Sequence, residues 1–220
     1  MAKRWFTSDF HLGMDGLMRL EKWPFKSIEK HDNALLISCK QRARPEDTII
    51  HIGDLACYKQ DLHQGINASR GITVNPMNLI KDIPANFVNI RGNHDNSNRV
   101  KSVADSMQTH LGKRFPQVTI GHYPSYDKRS HEYIRDGWIN ICGHVHSKWK
   151  HCLDMDKKVL NINVGCMAWN FRIISEDELI QYINKVLAHK PDEIFRCKTV
   201  EGKLTFFGNP KLNLKKEENK

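Results

Sequence analysis

The sequence predicts an α/β fold in which two packed β-sheets, a β-sandwich, are flanked by helices. Short runs of β-branched and aromatic residues recur from residue 4 onward and read as buried strands. Segments with helical spacing lie towards both ends of the chain. Five of the strand-like runs end directly in a short polar cluster that carries Asp, Asn or His. Loops at the carboxyl ends of strands in an open α/β sheet converge on one crevice, so ligand-type residues repeated there predict one shared site.

In chain order, residues 4–7 are the first strand, and residues 13–24, with two glycines and a proline, a loop. Residues 27–41 place Ile28, Ala34, Leu35, Ile37 and Cys39 near helical spacing, which predicts a helix covering one sheet face. Strands follow at 48–52 and 87–90. The long connection 57–84 between them contains Met77, Asn78, Leu79 and Ile80, able to form a helical turn. Residues 97–107 are predicted as a short helix. Strands then come in quick succession at 117–120, 138–142, 159–164 and 171–174. Ser175, with Glu178 three residues later, is a capping box that opens a helix through Leu187. Residues 193–200 and 203–207 flank Glu201 and Gly202, a two-residue hairpin signal.

At 220 residues, with 40% hydrophobic and 27% charged residues, the chain is long enough for one well-buried core and far from a disordered composition. One domain is expected over residues 1–208, followed by a charged tail at 209–220. No apolar run approaches a membrane span of about 18 residues, and the first strand begins too early for a signal peptide. A cytoplasmic location is the expectation. The six cysteines show no C-x-x-C spacing and are expected to be reduced; Cys142 and Cys166, near clusters of interest, read as small buried side chains. The net charge of +9 predicts a positive surface field that favours polyanions.

The polar clusters are Ser8 to His11, Gly53-Asp54, Gly92 to Asp95, Gly121-His122 and Gly143 to His146. Asp9 and His11, like His144 and His146, are alternate residues, and two ligands so spaced at a strand's end can grip one ion. Glycine before Asn93 lets the backbone turn tightly and present the side chains that follow. Any one cluster is a weak signal. Five in the same strand-end context, with hard or borderline ligands and no thiolates, point to a metal site.

This ordered set resembles the calcineurin-like metallophosphoesterases: D-x-H at Asp9 and His11, G-D at Asp54, G-N-H-D at Gly92 to Asp95, a lone His122, and G-H-x-H ending at His146. Asn163-Val164-Gly165 and Trp169-Asn170 make the chain similar to the small bacterial and phage phosphoesterases of that superfamily. The resemblance implies two divalent ions, from among Mn, Fe, Zn, Co and Ni with Mn favoured for activity. Asp9, His11 and His146 would bind one, Asn93, His122 and His144 the other, and Asp54 would bridge them. A hydroxide between the ions would attack phosphorus in line. His94 would protonate the leaving oxygen, with Asp95 orienting its ring.

The implied partner is a phosphate ester. A phosphodiester or nucleotide is the first substrate reading; small-molecule or phosphoprotein monoesters are the second, and a non-catalytic nucleic-acid-binding protein is the third. Arg91, Lys128, Arg129, Lys148 and Lys150 lie close in sequence to the ligand loops and are candidate substrate contacts, with Trp149 a candidate stacking face for a base.

Overall fold

The computed structural model describes residues 2–56, 76–96 and 100–211. The first sheet contains β1 (Arg4–Thr7), β2 (Thr48–Ile52), β3 (Asn86–Ile90) and the two-residue β9 (Ile174–Ser175), in the order β3-β2-β1-β9. The first three strands are mutually parallel, and β9 runs antiparallel to β1. The second sheet holds β4 (Ser106–Leu111), β5 (Phe115–Gly121), β6 (Ile139–Cys142), β7 (His151–Asp154), β8 (Val159–Asn163), β10 (Arg196–Val200) and β11 (Lys203–Phe207). Its order is β11-β10-β7-β8-β6-β5-β4.

Alternation along the strands explains the layers. On β1, Phe6 enters the core between the sheets while Trp5 faces the other way; on β2, Ile50 and Ile52 face inward and Ile49 outward. From the second sheet Val118, Ile120, Ile141, Leu160 and Ile162 complete the central core. Helix α2 (Ile28–Arg42) covers the outer face of the first sheet with Leu35 and Cys39 against Trp5 and Ile49. Helix α4 (Glu176–Leu187) adds Leu179, Ile183 and Val186 to the central core. The outer face of the second sheet is partly polar: Asn140 donates to Asn161, and Asn161 pairs with Ser125, whose hydroxyl donates to Asp154 at 2.6 Å. The two-sheet α/β architecture expected from the sequence is thus the one observed.

Four expectations need correction. Residues 100–105 are not helical and 106–111 are β4, because this segment pairs antiparallel with β5. Residues 171–173 are not strand: a 3₁₀ turn at Cys166–Trp169 is closed by Asn170 and Phe171 in left-handed conformation, and only Ile174 and Ser175 pair with β1. The 13–24 loop contains a short helix, α1 (Asp15–Leu20). His151–Asp154 forms β7, a strand the composition did not announce. Of the 57–84 connection, α3 (Pro76–Leu79) supplies the expected turn, while 57–75 lies outside the described residues, as do most of the tail and 97–99.

Local signals worked where they were self-contained. Glu201 and Gly202 both have positive φ and join β10 to β11 as a tight hairpin. Ser175 accepts from the Glu178 amide at 3.2 Å while the Glu178 carboxylate returns to the Ser175 amide at 2.9 Å. That carboxylate also pairs with Arg42 and Arg172, tying α4 to the end of α2. Ser175→Ala is expected to lower unfolding stability by about 1 kcal/mol, the usual size of a lost N-cap. Urea titration should show an earlier midpoint at unchanged slope; an unmoved midpoint would mean the cap contributes nothing here.

Candidate metal centre

All the ligand-type residues of the five clusters arrive at one end of the sandwich, on the loops that follow β1, β2, β3, β5 and β6. The loop after β1 runs beside the loop after β2, with amide-to-carbonyl bonds of 3.0 Å from Asp9 to Gly53 and from His11 to Asp54. The Gly143 amide bonds the His122 carbonyl at 3.1 Å, fastening the last two loops together. Packing this tight leaves no room for a side chain at the glycines. A Cβ on Gly92 would sit 2.2 Å from Asp54 Oδ1, and one on Gly143 would sit 2.2 Å from Ser8 Oγ.

The backbone turns sharply to aim the side chains. Asp9, His11, Asp54, His144 and His146 all have positive φ, between 44° and 69°. Left-handed conformation of a non-glycine residue costs on the order of 1 kcal/mol or more, and such residues gather at functional sites. The alternate spacing brings Asp9 and His11 to one group, as their spacing suggests, but not His144 and His146. The two histidines of the H-x-H pair point to different groups: Asp9, His11 and His146 form one triad, and Asp54, His122 and His144 the other.

Asp54 lies between them. Its Oδ2 is 3.8 Å from His11 Nε2 and 3.3 Å from His122 Nε2, while Oδ1 accepts the His94 backbone amide at 2.9 Å. Asn93 Oδ1 lies 3.2 Å from His122 Nε2, on the second triad. In the first triad the Nε2 atoms of His11 and His146 face each other at 3.1 Å. The opposite ring nitrogens are held from behind: His122 Nδ1 by the Ile52 carbonyl at 2.7 Å, and His146 Nδ1 by the Glu21 carboxylate at 2.5 Å. Fixing one nitrogen of an imidazole leaves the other free to face an ion.

The buried groups in this space shift one another's ionisation. Asp9 is fully buried, and burial raises its carboxyl above the usual range despite the histidines nearby. Burial also pushes Asp54 up, but His122, His11 and His94 outweigh it and hold the carboxyl well below normal. His122 is pushed down by burial yet raised to about 9 by the Asp54 carboxylate beside it. Burial, then His122 and Arg129, lower His144 to about 4. Two buried carboxylates surrounded by imidazole nitrogens, with no thiolate in either triad, fit hard or borderline divalent ions.

Asp95 has a different place from the one the resemblance implied. Its buried carboxylate accepts the amides of Asp54, Leu55 and Gly92 and the Asn89 side chain, at 2.8–3.2 Å. It ties the loop after β2 to the loop after β3. The reason is topological: β2 and β3 are adjacent and parallel, so both loops leave unpaired amides at the same level. His94 itself is part-exposed, its ring centroid 5.5 Å from that of His11.

The basic candidates divide. The Arg129 guanidinium stacks over Tyr123 at 4.0 Å, pairs with Asp127 and reaches His144 Nε2 at 3.1 Å; Lys148 and His144 border the same cavity. Arg91 pairs with Asp105 at 2.7 Å, the Lys150 ammonium lies on the Trp169 ring at 4.4 Å, and Lys128 is exposed on a 3₁₀ turn. Trp149 is 3% exposed, packed among Cys142, Val145, Cys152, Phe195 and Cys197, so only a small part of its ring reaches the adjoining cavity. Cys142 and Cys166 are buried, as expected; the Cys166 thiol donates to the Asp9 carbonyl at 3.2 Å.

Sequence reasoning missed Glu21, Ser8 and the purpose of Asn163. Glu21 follows α1 and meets His146 across 125 positions of sequence, a pairing with no local signal. Ser8 donates to Asp9 Oδ2 at 2.5 Å. Asn163 donates to the carbonyls of His146 and Trp149 at 2.7 and 2.6 Å, and its own carbonyl accepts the Trp169 indole at 2.8 Å. The Asn163 and Trp169 motif therefore pins the H-x-H loop.

The chain is similar to known proteins over most of its length. The chain is 26% identical over 213 residues to the gene 66 protein of Mycobacterium phage L5, covering 84% of this chain and 96% of that protein. Among solved structures, the protein of unknown function AQ665 from Aquifex aeolicus superposes with a TM-score of 0.58 at 20% identity, over 83% of this chain and all of that one. Yfce, a phosphoesterase from E. coli, gives a TM-score of 0.41 at 15% identity, over 73% of this chain and 78% of that one. The family model described as the calcineurin-like phosphoesterase superfamily domain matches residues 5–176. The chain belongs to the calcineurin-like phosphoesterase superfamily.

Proposed function

We propose that this protein is a dinuclear metal-dependent hydrolase of phosphate esters, with phosphodiesters or nucleotides as its substrates and manganese as an activating ion. One observation carries the reading: a single carboxylate oxygen of Asp54 faces one imidazole from each triad. In this reading Asp9, His11 and His146 hold one ion, Asn93, His122 and His144 the other, and Asp54 both. Two bound ions would supply Lewis-acid charge for the phosphoryl oxygens and lower the pKa of a water enough for it to act as nucleophile.

The chain's own groups do the remainder. The His94 amide and His122 hold Asp54 as a carboxylate between the two triads, where it would contact both ions. The His94 side chain, on the rim beside His11, is the group assigned to protonate the leaving oxygen. Arg129, fixed by Asp127 and Tyr123, and Lys148 place positive charge on the His144 side, where a phosphoryl group is attracted. The Ser8 hydroxyl is engaged with Asp9 and the Cys166 thiol with the Asp9 carbonyl. Direct attack by water therefore suits the site better than a covalent enzyme intermediate.

Bis(p-nitrophenyl) phosphate and p-nitrophenyl phosphate, each assayed with Mn, Mg, Co, Ni, Zn and Fe, test the reading. Turnover is expected with manganese and faster on the diester. Faster monoester turnover would assign the site to monoesters, and no turnover with any ion would remove the enzymatic reading. Asp54→Asn is expected to lose dinuclear binding and nearly all activity; metal analysis finding two ions and full turnover in that variant would refute the bridging role. His94→Ala should retain both ions but slow the hydrolysis of alkyl esters by roughly 100-fold, with a smaller loss on nitrophenyl esters. Equal losses on both would place His94 outside leaving-group protonation. Glu21→Ala is expected to weaken metal affinity by about 10- to 100-fold, the usual effect of removing a carboxylate behind a ligating histidine. Calorimetric titration showing unchanged affinity would reduce the Glu21–His146 bond to a structural contact.

A further inference from the structure

A cavity of about 540 Å³ opens beside the metal-type cluster and shares His144 with it. Its wall is mainly apolar and aromatic, from Tyr126, Trp149, Phe195, Leu204 and Phe206, with Lys148 and Asp127 on the polar side. Leu204 and Phe206 belong to β11, in the hairpin formed with β10. That hairpin lies beyond residues 5–176, the part matched by the family domain, and joins the second sheet by parallel pairing of β10 with β7.

Phe206 remains 43% exposed and Leu204 41%, although both border a concave space. The Phe206 ring is held by two neighbours: it lies parallel to Phe195 at 5.6 Å with 5° between planes, and edge-on to Tyr126 at 5.4 Å. A partly exposed ring locked by two other rings is a preorganised apolar surface. The volume falls within the range of about 300–1,000 Å³ common for ligand pockets. Because His144 is common to both spaces, a phosphoryl group at the cluster would leave the organic part of its ester next to Phe206.

We propose that this cavity is the specificity pocket of the site, receiving a planar aromatic ring carried by the non-leaving group of the phosphodiester, and that the β10–β11 hairpin creates the preference. The proposal rests on the phosphoesterase reading for its catalytic consequence. The same chemistry would accept a nucleobase or a simple aryl ring.

Four p-nitrophenyl diesters that share one leaving group and differ in the second group (methyl, cyclohexyl, phenyl and thymidine-5′-yl) test it on the metal-loaded protein. The phenyl and thymidine esters are expected to exceed the methyl and cyclohexyl esters in kcat/KM by about tenfold, the scale of one stacking contact. A preference for thymidine over phenyl would identify a nucleoside as the source, and equal preference an aryl group. Phe206→Ala should erase the aromatic preference and Phe206→Trp should restore it, while Leu187→Ala on α4 leaves it unchanged. A cyclohexyl ester as good as phenyl, or a preference that survives Phe206→Ala, would overturn the proposal. Saturation-transfer NMR with thymidine alone gives a readout independent of turnover. A signal on the base protons that disappears in Phe206→Ala supports the pocket even if no ester is hydrolysed. Its absence in the wild type, with active turnover and flat selectivity, overturns the pocket and leaves the phosphoesterase reading standing; its absence without turnover defeats both. A dimer that Phe206→Ala dissolves would make this face an interface between copies and also overturn the proposal.

Discussion

The buried Asp54 carboxylate is the constraint on which the rest of the site depends. It draws on three loops: its oxygens meet His122 and His11 on one side and the His94 amide on the other, while its own amide is held by Asp95. A carboxylate with this little exposure is tolerable only if every direction offers a donor or a cation. That requirement accounts for the histidines around it. It also accounts for Gly92, whose missing side chain lets the loop after β3 lie directly on the Asp54 oxygen.

The cost of this arrangement is visible in the backbone. Five of the ligand-type residues sit in left-handed conformation, which at about 1 kcal/mol or more each is a substantial part of a typical folding free energy. The loops persist in that form because hydrogen bonds over-determine them. Asp95 fastens the second and third loops, Asn163 fastens the H-x-H loop, and Ser8 with the His144 amide fixes Asp9. Strain and support lie at the same end of the molecule. The other structural levels, the interleaved core and the capped α4, are built from ordinary local geometry.

Two parts of the molecule build the cluster and the cavity beside it. The first sheet and the central strands of the second deliver the ligand-type residues at their carboxyl ends, as parallel strands must. The outer edge of the second sheet adds Leu204 and Phe206 to the cavity wall, from a hairpin outside the matched family domain. The ligand-type cluster and the cavity come from different parts of the chain, with His144 the residue common to both spaces. Much of the charge expected to attract a substrate is committed to internal pairs, leaving Arg129 and Lys148 nearest the centre.

The sequence by itself determined the α/β class, the positions of β1, β2 and α2, the Ser175 cap, the Glu201-Gly202 turn and the identities of the clustered residues. These depend on side-chain periodicity, a cap or a turn within a few residues, information that is local by nature. The helix expected over 97–107 does not extend through 100–107, because strand pairing of β4 with β5 is a non-local interaction that overrides weak helical spacing. The left-handed turn at Asn170 and Phe171 likewise cut short a strand that composition favoured. Only the tertiary structure decided that Glu21 supports His146, that Asn163 pins the H-x-H loop and that Asp95 binds backbone amides. Each of these is a meeting of loops that chain spacing does not encode, and each is settled by how two sheets bring five strand ends to one place.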